Sequence, residues 1–272
     1  MPALSQVTPV LCFLLCLSGF AQASPLAKSV LAASPVDEIV AQYPAMMSEG
    51  VRRGLSQSGT TDPMVVTTVT AVVRNAFRAA DMQSQLVSDL ASSMSDEQLE
   101  IVGDWYQTPL AQKVSRAEVE ASGPQTWQTI ESGAPGLQAR FKGSERAALF
   151  SRYDRAARAT ESAVDTTVAV QLGLATAVAA FQGSGESGFA ALKQTIETQR
   201  DQTRALIAQQ VYDMYLYTYQ DLSVDELKDY IGFLETDAGA SFTRVVTASI
   251  QGSITRPVEA VGRQLARFFG PS

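Results

Sequence analysis

The chain has 272 residues and a formal net charge of −7 at pH 7, from 21 Lys and Arg against 28 Asp and Glu. It contains no His and only two Cys, which excludes a Ser-His-Asp triad, a Cys-His catalytic pair and a Cys/His zinc site. We predict no catalytic residue, no metal and no cofactor, and the acidic balance argues against binding to nucleic acid.

Residues 1–23 have the pattern of a secretion signal. An apolar run at 10–17 precedes the small-x-small triplet Ala21-Gln22-Ala23, so we expect cleavage after Ala23 and export to the periplasm. The run is too short to cross a bilayer core, which needs roughly 20 apolar residues. We therefore expect no integral membrane segment after cleavage. Both cysteines, Cys12 and Cys16, lie in this segment, and the mature chain would have no thiol.

Helix-start signals open the predicted fold at Ser34. This residue can cap a helix that has Pro35 at its first position, and Pro44 is expected to kink that helix. A second start signal, Asp62-Pro63, precedes apolar residues that recur about every 3.6 positions over 64–90. Because no turn signal interrupts them, the pattern predicts one long helix.

Shorter helices are predicted to follow in the first half. Ser95 caps one of them, Thr108-Pro109 ends it and begins the next, and Gly123-Pro124 breaks that one. The sequence SGAPG at 132–136, with Gly143-Ser144 just beyond it, predicts the clearest boundary of the chain.

The second half is predicted to repeat this order. Long helices are expected over 145–181 and 189–219, separated by a flexible turn at Gly183–Gly188. Ser223 caps a short helix, and Arg256-Pro257 marks a final break.

The order of elements predicts an all-α protein of two tandem helical repeats, packed as an antiparallel helical bundle. The first repeat is expected to span residues 34–132, the linker residues 133–143 and the second repeat residues 144–270.

Two stretches carry the repeat: MSDEQLEIVGDWYQTPLAQKV at 94–114 and LSVDELKDYIGFLETDAGASF at 222–242. They align without a gap. In each, Ser is followed three residues later by Gln or Glu, which predicts a capping box, and then by apolar residues on one helical face. A Thr then caps the next helix, which contains an Arg. The positions that define the unit are Ser95, Gln98, Leu99, Trp105, Tyr106, Thr108, Pro109 and Arg116, and then Ser223, Glu226, Leu227, Phe233, Thr236, Gly239 and Arg244.

The pattern Ser-x-x-Glu/Gln-Leu, five residues, then aromatic-Tyr/Leu-x-Thr/Ser-Pro-x-Gly/Ala resembles the domain-of-unknown-function family 2059. The first copy is similar to it, with Ala111 where the family favours Gly. The second copy keeps Gly239 but has Asp237 in place of Pro. The resemblance implies helical domains of secreted bacterial proteins, whose biochemical role is not established.

The arginines of the unit, Arg116 and Arg244, share one position in the two copies. The favoured interpretation is a structural ion pair with an acid of the short helix, such as Glu97 or Asp225. Anion binding is the alternative.

Two further patterns have structural explanations. Gly183–Gly188 satisfies GxGxxG, but a dinucleotide site needs a preceding strand, and a turn between helices is expected here. Glu161 and Asp165 lie four residues apart and could act as a catalytic acid and base. A solvated edge of an amphipathic helix is the favoured interpretation of this pair.

Four tyrosines cluster near the end of the second long helix: Tyr212, Tyr215, Tyr217 and Tyr219. On a helix their rings face more than one side. Packing in the core and between the repeats is therefore the favoured interpretation, and an aromatic surface for a partner is the alternative.

These observations predict a non-enzymatic binding or scaffold protein of the cell envelope. Its partner would be an envelope protein or the partner repeat of a homo-oligomer. Two alternatives stay open. One is an envelope hydrolase that uses two carboxylates, and the other is a carrier of a lipid or small apolar ligand between the long helices.

Overall fold

All of the regular secondary structure in the computed structural model is helical. The structure describes residues 24–57, 67, 77–181 and 185–269, and over these residues it contains twelve helices and no strand. The predicted all-α class is confirmed. The predicted signal peptide lies outside the described residues.

The helices of the first half are mostly short. They are α1 (Pro25–Ala33), α2 (Pro35–Gln57), α3 (Ala79–Ser93), α4 (Asp96–Tyr106), α5 (Pro109–Ala121) and α6 (Thr126–Phe141).

The second half contains fewer breaks. Its helices are α7 (Glu145–Ala157), α8 (Ala159–Phe181), α9 (Gly185–Thr198), α10 (Arg200–Thr218), α11 (Val224–Leu234) and α12 (Asp237–Phe269).

The fold begins before the predicted start at Ser34. Ser24 caps α1, and Ser34 closes that helix, donating its backbone N–H to the carbonyls of Val30 and Leu31. Val30 and Leu31 are buried in the core. The helix has only nine residues, too few to show a reliable apolar period, so α1 was not predicted.

The predicted long helix over 64–90 is interrupted. Arg78 has extended backbone angles, and α3 begins only at Ala79. Residues 58–66 and 68–76 lie outside the described residues, so the front of that prediction is not tested. The apolar period alone did not mark the break at Arg78.

The predicted boundary at 132–136 and the linker 133–143 are wrong. Both fall largely inside α6, which contains Pro135. Ile130 and Ala134 on this helix are buried, and α6 packs against α10. The true connection is at residues 142–144, where Gly143 has a φ of 70°. Burial of one face thus keeps α6 helical despite its Gly and Pro residues.

The long helices predicted for the second half are each divided in two. Arg158, with a φ of 53°, separates α7 from α8, and Gln199 separates α9 from α10. Residues 185–188 of the predicted flexible turn are helical, while 182–184 lie outside the described residues. The predicted break at Arg256-Pro257 is also wrong, because α12 continues through it.

One hydrophobic core joins both halves. Its fully buried members include Leu86, Leu99 and Val102 from the first half and Tyr215, Leu227 and Ile231 from the second. A smaller cluster of Val164, Val168 and Ile207 lies between α8 and α10. The halves therefore do not have separate cores as independent domains would.

Helix pairing is similar in the two halves. In the first half α1 packs on α4, and α2 packs on α3 and α5. In the second half α7 packs on α11, and α8 packs on α10 and α12. Across the halves, α5 meets α10 and α11, while α12 meets α3 and α4. Helices at equivalent positions in the two halves therefore form the contacts between the halves.

The predicted capping boxes are both present. Gln98 N donates to Ser95 Oγ at 3.2 Å, and Ser95 N donates to Gln98 Oε1 at 3.1 Å. Ser223 and Glu226 make the equivalent bonds at 3.1 and 2.7 Å. Each box satisfies two N–H groups at the start of an 11-residue helix, which could not be stable alone at that length.

We expect Ser95→Ala and Ser223→Ala each to lower the free energy of unfolding by about 1 kcal/mol, because each removes the acceptor at a helix start. Chemical denaturation would measure the loss. Ser92→Ala is a control, since its hydroxyl bonds only to a carbonyl within α3. A loss at Ser92 as large as at the two caps would contradict the capping role.

A second prediction concerns the glycine at the start of α12. A Cβ atom at Gly239 would lie 2.1 Å from the carbonyl oxygen of Phe233, whereas one at Gly232, inside α11, would meet nothing within 4 Å. We expect Gly239→Ala to destabilise by about 1–3 kcal/mol through overpacking. Gly232→Ala should stabilise by up to about 1 kcal/mol, because Ala favours helix.

The comparison of the two alanine variants by thermal or chemical unfolding is a direct measurement of this close approach. Ala111 occupies the position equivalent to Gly239 in the first half, so the close approach belongs to the turn between α11 and α12. Equal and small changes in the free energy of unfolding for the two variants would show that the turn can accommodate a Cβ atom at Gly239 without loss of stability.

Candidate functional site

The two short helices meet through a pair of stacked rings. The ring of Trp105 lies 4.4 Å from the ring of Phe233, and their planes differ by only 8°. Phe233 is the residue aligned with Trp105 in the second copy. Each of these rings therefore packs against the ring at the equivalent position of the other half, where the two halves meet.

Two polar contacts cross the same junction and are equivalent in the aligned sequence. Lys113 Nζ donates to the two carboxylate oxygens of Glu226 at 2.8 and 3.0 Å, and Gln98 Nε2 donates to Ser241 Oγ at 3.3 Å. Ser241 is the aligned counterpart of Lys113, and Gln98 that of Glu226. The hydrogen bond from Lys113 holds the pKa of Glu226 below its usual value.

A buried arginine fixes the turn that follows α10. The guanidinium of Arg146 donates to the carbonyl oxygens of Tyr219 and Leu222, which lie in the turn beyond the last residue of α10. In return, the Tyr215 hydroxyl donates to the Arg146 carbonyl at 2.8 Å. Burial lowers the pKa of Arg146. The turn between α10 and α11 is thereby tied to α7.

The predicted tyrosine surface needs correction. Tyr215 and Tyr219 are buried in the core, each only 2% exposed, and cannot contact a partner. Tyr212 is partly buried and packs edge-on against Phe150, at 4.9 Å between ring centroids. Only Tyr217 lines an accessible cleft. Core packing, the favoured interpretation, holds for Tyr215 and Tyr219 because their side of α10 faces α7 and α11.

A carboxylate on α5 joins three tyrosines. Glu118 Oε1 accepts hydrogen bonds from the hydroxyls of Tyr230 at 2.6 Å and Tyr219 at 2.7 Å. The hydroxyl oxygens of Tyr219 and Tyr153 lie 3.2 Å apart. Since Tyr219 has one proton and gives it to Glu118, Tyr153 must be the donor in that second contact. The cluster connects α5, α7, α10 and α11.

Burial raises the pKa of Glu118, and the hydrogen bonds from Tyr230 and Tyr219 act in the opposite direction. The pKa of both tyrosines also rises, chiefly through burial and then through the nearby carboxylate. This cluster was not predictable from the sequence. The aligned residue of the second half is Val246, and a lone Glu on a helix gives no signal of burial.

A cleft of about 210 Å³ lies beside this cluster, between α5 and the C-terminal end of α10. Lys113, Arg116 and Glu120 line one wall, and Tyr217 and Asp221 line the other. The hydrogen bond from Tyr219 to Glu118 joins the same two elements. The width of the cleft is therefore set by buried contacts behind it.

The predicted ion pairs of Arg116 and Arg244 with short-helix acids do not form within the described residues. Arg244 donates to Ser241 Oγ at 3.1 Å, and Asp225 lies 3.8 Å from Lys228. Arg116 instead lines the cleft. Among the first-turn acids of the short helices, Glu226 pairs with Lys113 of α5, and Asp225 is exposed near Lys228.

The other candidate acids are used in ion pairs between helices. Asp165 binds Arg200 at 2.6 Å and Glu161 binds Arg204, which links α8 to α10. Both pairs are partly exposed, in agreement with the favoured interpretation of a solvated helix edge. Gly183–Gly188 contributes its last four residues to the start of α9, as a connection between helices.

Residues 80–139 match the DUF2059 family, described as an uncharacterized protein conserved in bacteria. The matched segment begins within α3 and ends within α6. This confirms the resemblance for residues 80–139, while the second copy stays a prediction. Comparison with curated proteins and with solved structures finds no match.

Within the described residues, no helix combines the length and apolar character needed to cross a bilayer. The same residues contain no group of three or more His, Cys, Asp or Glu side chains arranged to hold a metal ion.

The raised pKa of Glu118 predicts a pH-dependent stability. A carboxyl whose pKa is higher in the folded state contributes stability at low pH, and this contribution is lost as pH rises from the usual Glu range, about 4.3, through the folded-state pKa. Glu118→Gln removes the charge and keeps a carbonyl oxygen that can accept from both Tyr219 and Tyr230. We expect the variant to match the wild type near pH 4 and to be more stable at pH 8.

Urea unfolding at both pH values would measure this difference. Glu120→Gln, an exposed change two residues away on α5, should alter stability by less than about 0.5 kcal/mol at either pH. If the stability of the wild type relative to Glu118→Gln increases from pH 4 to pH 8, the environment of Glu118 does not favour its protonated form.

Proposed function

We propose that this protein is a non-enzymatic binding or scaffold protein of the cell envelope, exported to the periplasm, and that it binds its ligand in the cleft between α5 and the end of α10. The observation that carries the proposal is the charge pattern of that cleft. Arg116, Glu120 and Asp221 line it, and none has an oppositely charged group within 4.0 Å among the described residues.

Several charged residues that lie between helices elsewhere are paired with one another. Arg152 with Glu235, Lys228 with Glu145 and the two pairs between α8 and α10 all form ion pairs. Charged groups that line a cleft and form no ion pair can still form hydrogen bonds with a ligand. The buried contacts behind the cleft hold its walls in place before binding, which lowers the entropy cost of association.

We also infer that the second half is a second copy of the DUF2059 domain. Support comes from the matched capping boxes, the stacked pair at Trp105 and Phe233, and the equivalent polar contacts of Lys113 and Gln98 across the junction. In this interpretation the cleft lies between the two copies, because α5 belongs to the first and α10 to the second.

The chemistry of the described residues offers less support for a lipid carrier. A two-carboxylate hydrolase needs a pair of acids facing a cleft; Glu118 binds two tyrosines and Glu161 and Asp165 each bind an arginine, which leaves Glu120 and Asp221 as the pair on which this alternative function rests. A lipid carrier needs an apolar cavity, and the cleft is lined largely by charged and polar side chains.

A thermal-unfolding screen against a library of small charged metabolites would test the proposal. A compound present at ten times its Kd should stabilise the wild type by about 1.4 kcal/mol. We expect this stabilisation to be lost in Arg116→Gln and Glu120→Gln. Arg244→Gln, which changes the aligned arginine outside the cleft, should retain it.

Two results would count against the cleft as the binding site. One is a set of compounds that stabilise the wild type and both cleft variants equally. The other is a library in which no compound stabilises the wild type.

A further inference from the structure

We propose that the cleft recognises a zwitterion, meaning a small molecule such as an amino acid or dipeptide that carries both a carboxylate and a protonated amine. The inference rests on the proposed function and adds the class of ligand. It follows from which charged groups of the cleft already form an ion pair within the protein and which do not.

Lys113 is already neutralised. Its ammonium contacts both oxygens of Glu226, at 2.8 and 3.0 Å, and Glu226 also accepts a hydrogen bond from Ser223 N at 2.7 Å. Each group is only about one-third exposed, at 38% and 35%. The pair therefore forms a fixed part of the wall and leaves Arg116 as the cation with donors to spare.

Arg116 is placed to receive a carboxylate. It precedes Glu120 by four residues on α5, the less favourable order for an ion pair along a helix, since the acid is better placed first. No ion pair forms between them. A guanidinium presents two parallel N–H donors that match a carboxylate, so Arg116 supplies the anion-binding end of the cleft.

The remaining groups favour an amine. Glu120 and Asp221 give the cleft two carboxylates beside the single cation Arg116, once the pair of Lys113 and Glu226 is set aside, and Asp221 is also attracted to the nearby guanidinium of Arg146. Tyr217 adds an aromatic ring to the same wall. Carboxylates beside an aromatic face attract a protonated amine through charge and cation–π contact. Arg116 next to these acids disfavours a metal ion.

The size of the cleft limits the ligand. Its volume of about 210 Å³ is below the range of roughly 300–1,000 Å³ that is typical of drug-sized ligands. An amino acid or dipeptide is therefore of suitable size. A longer peptide could place only one end in the cleft, and that end would carry one of the two charges.

Isothermal titration with L-alanyl-L-alanine tests the ligand class. N-acetyl-L-alanyl-L-alanine, which lacks the positive charge, and L-alanyl-L-alanine amide, which lacks the negative one, are the matched probes. We expect each blocked form to bind about tenfold more weakly, as for the loss of one charged hydrogen bond. Arg116→Gln should weaken the free dipeptide and the acetylated form about tenfold and leave the amide nearly unchanged.

Glu120→Gln is the opposite case, since it should weaken the free dipeptide and the amide but spare the acetylated form. Arg244→Gln is the control that keeps wild-type affinity. Equal affinity for all three probes, or no binding of the free dipeptide at millimolar concentration, would overturn the zwitterion assignment. The function itself would still stand if the metabolite screen finds other compounds whose binding depends on Arg116 or Glu120.

Discussion

The structure depends on burying two helices that are too short to be stable alone. α4 and α11 have 11 residues each, below the length at which an isolated helix persists in water. Each carries a large ring near its end, and Trp105 and Phe233 stack on one another at 4.4 Å. The hydrophobic face of each half is thus completed by the other half. The two halves share one core, and the apolar face of each half is covered by the other.

This shared core explains where the polar groups are found. Joining the halves brings α5 against the end of α10, and Arg146 of α7 donates to the carbonyl oxygens of Tyr219 and Leu222 in the turn that follows. Glu118 enters the same region and is held by Tyr219 and Tyr230. The buried hydrogen bonds fix the spacing of α5 and α10. The cleft is the outer edge of that junction, so its shape follows from the core.

The sequence predicted the elements whose signals are local. The capping boxes at Ser95 and Ser223 were predictable because a cap and its partner lie three residues apart. Segments whose structure depends on distant contacts were predicted wrongly. Gly133 and Pro135 suggest a boundary, yet burial of Ile130 and Ala134 against α10 keeps that segment helical. The candidate site was hardly predictable, since Glu118 and Asp221 are ordinary surface residues by sequence.

The sequence alone determined the all-α class, the capped short helices and the resemblance of residues 80–139 to DUF2059. Each of these rests on spacing within a few turns of helix. Only the tertiary structure decided that Tyr215 and Tyr219 are core residues, that Lys113 pairs with Glu226, and that Arg116 faces a cleft. The physical reason is that burial and charge pairing depend on residues about 100 positions away, which no local pattern of side chains encodes.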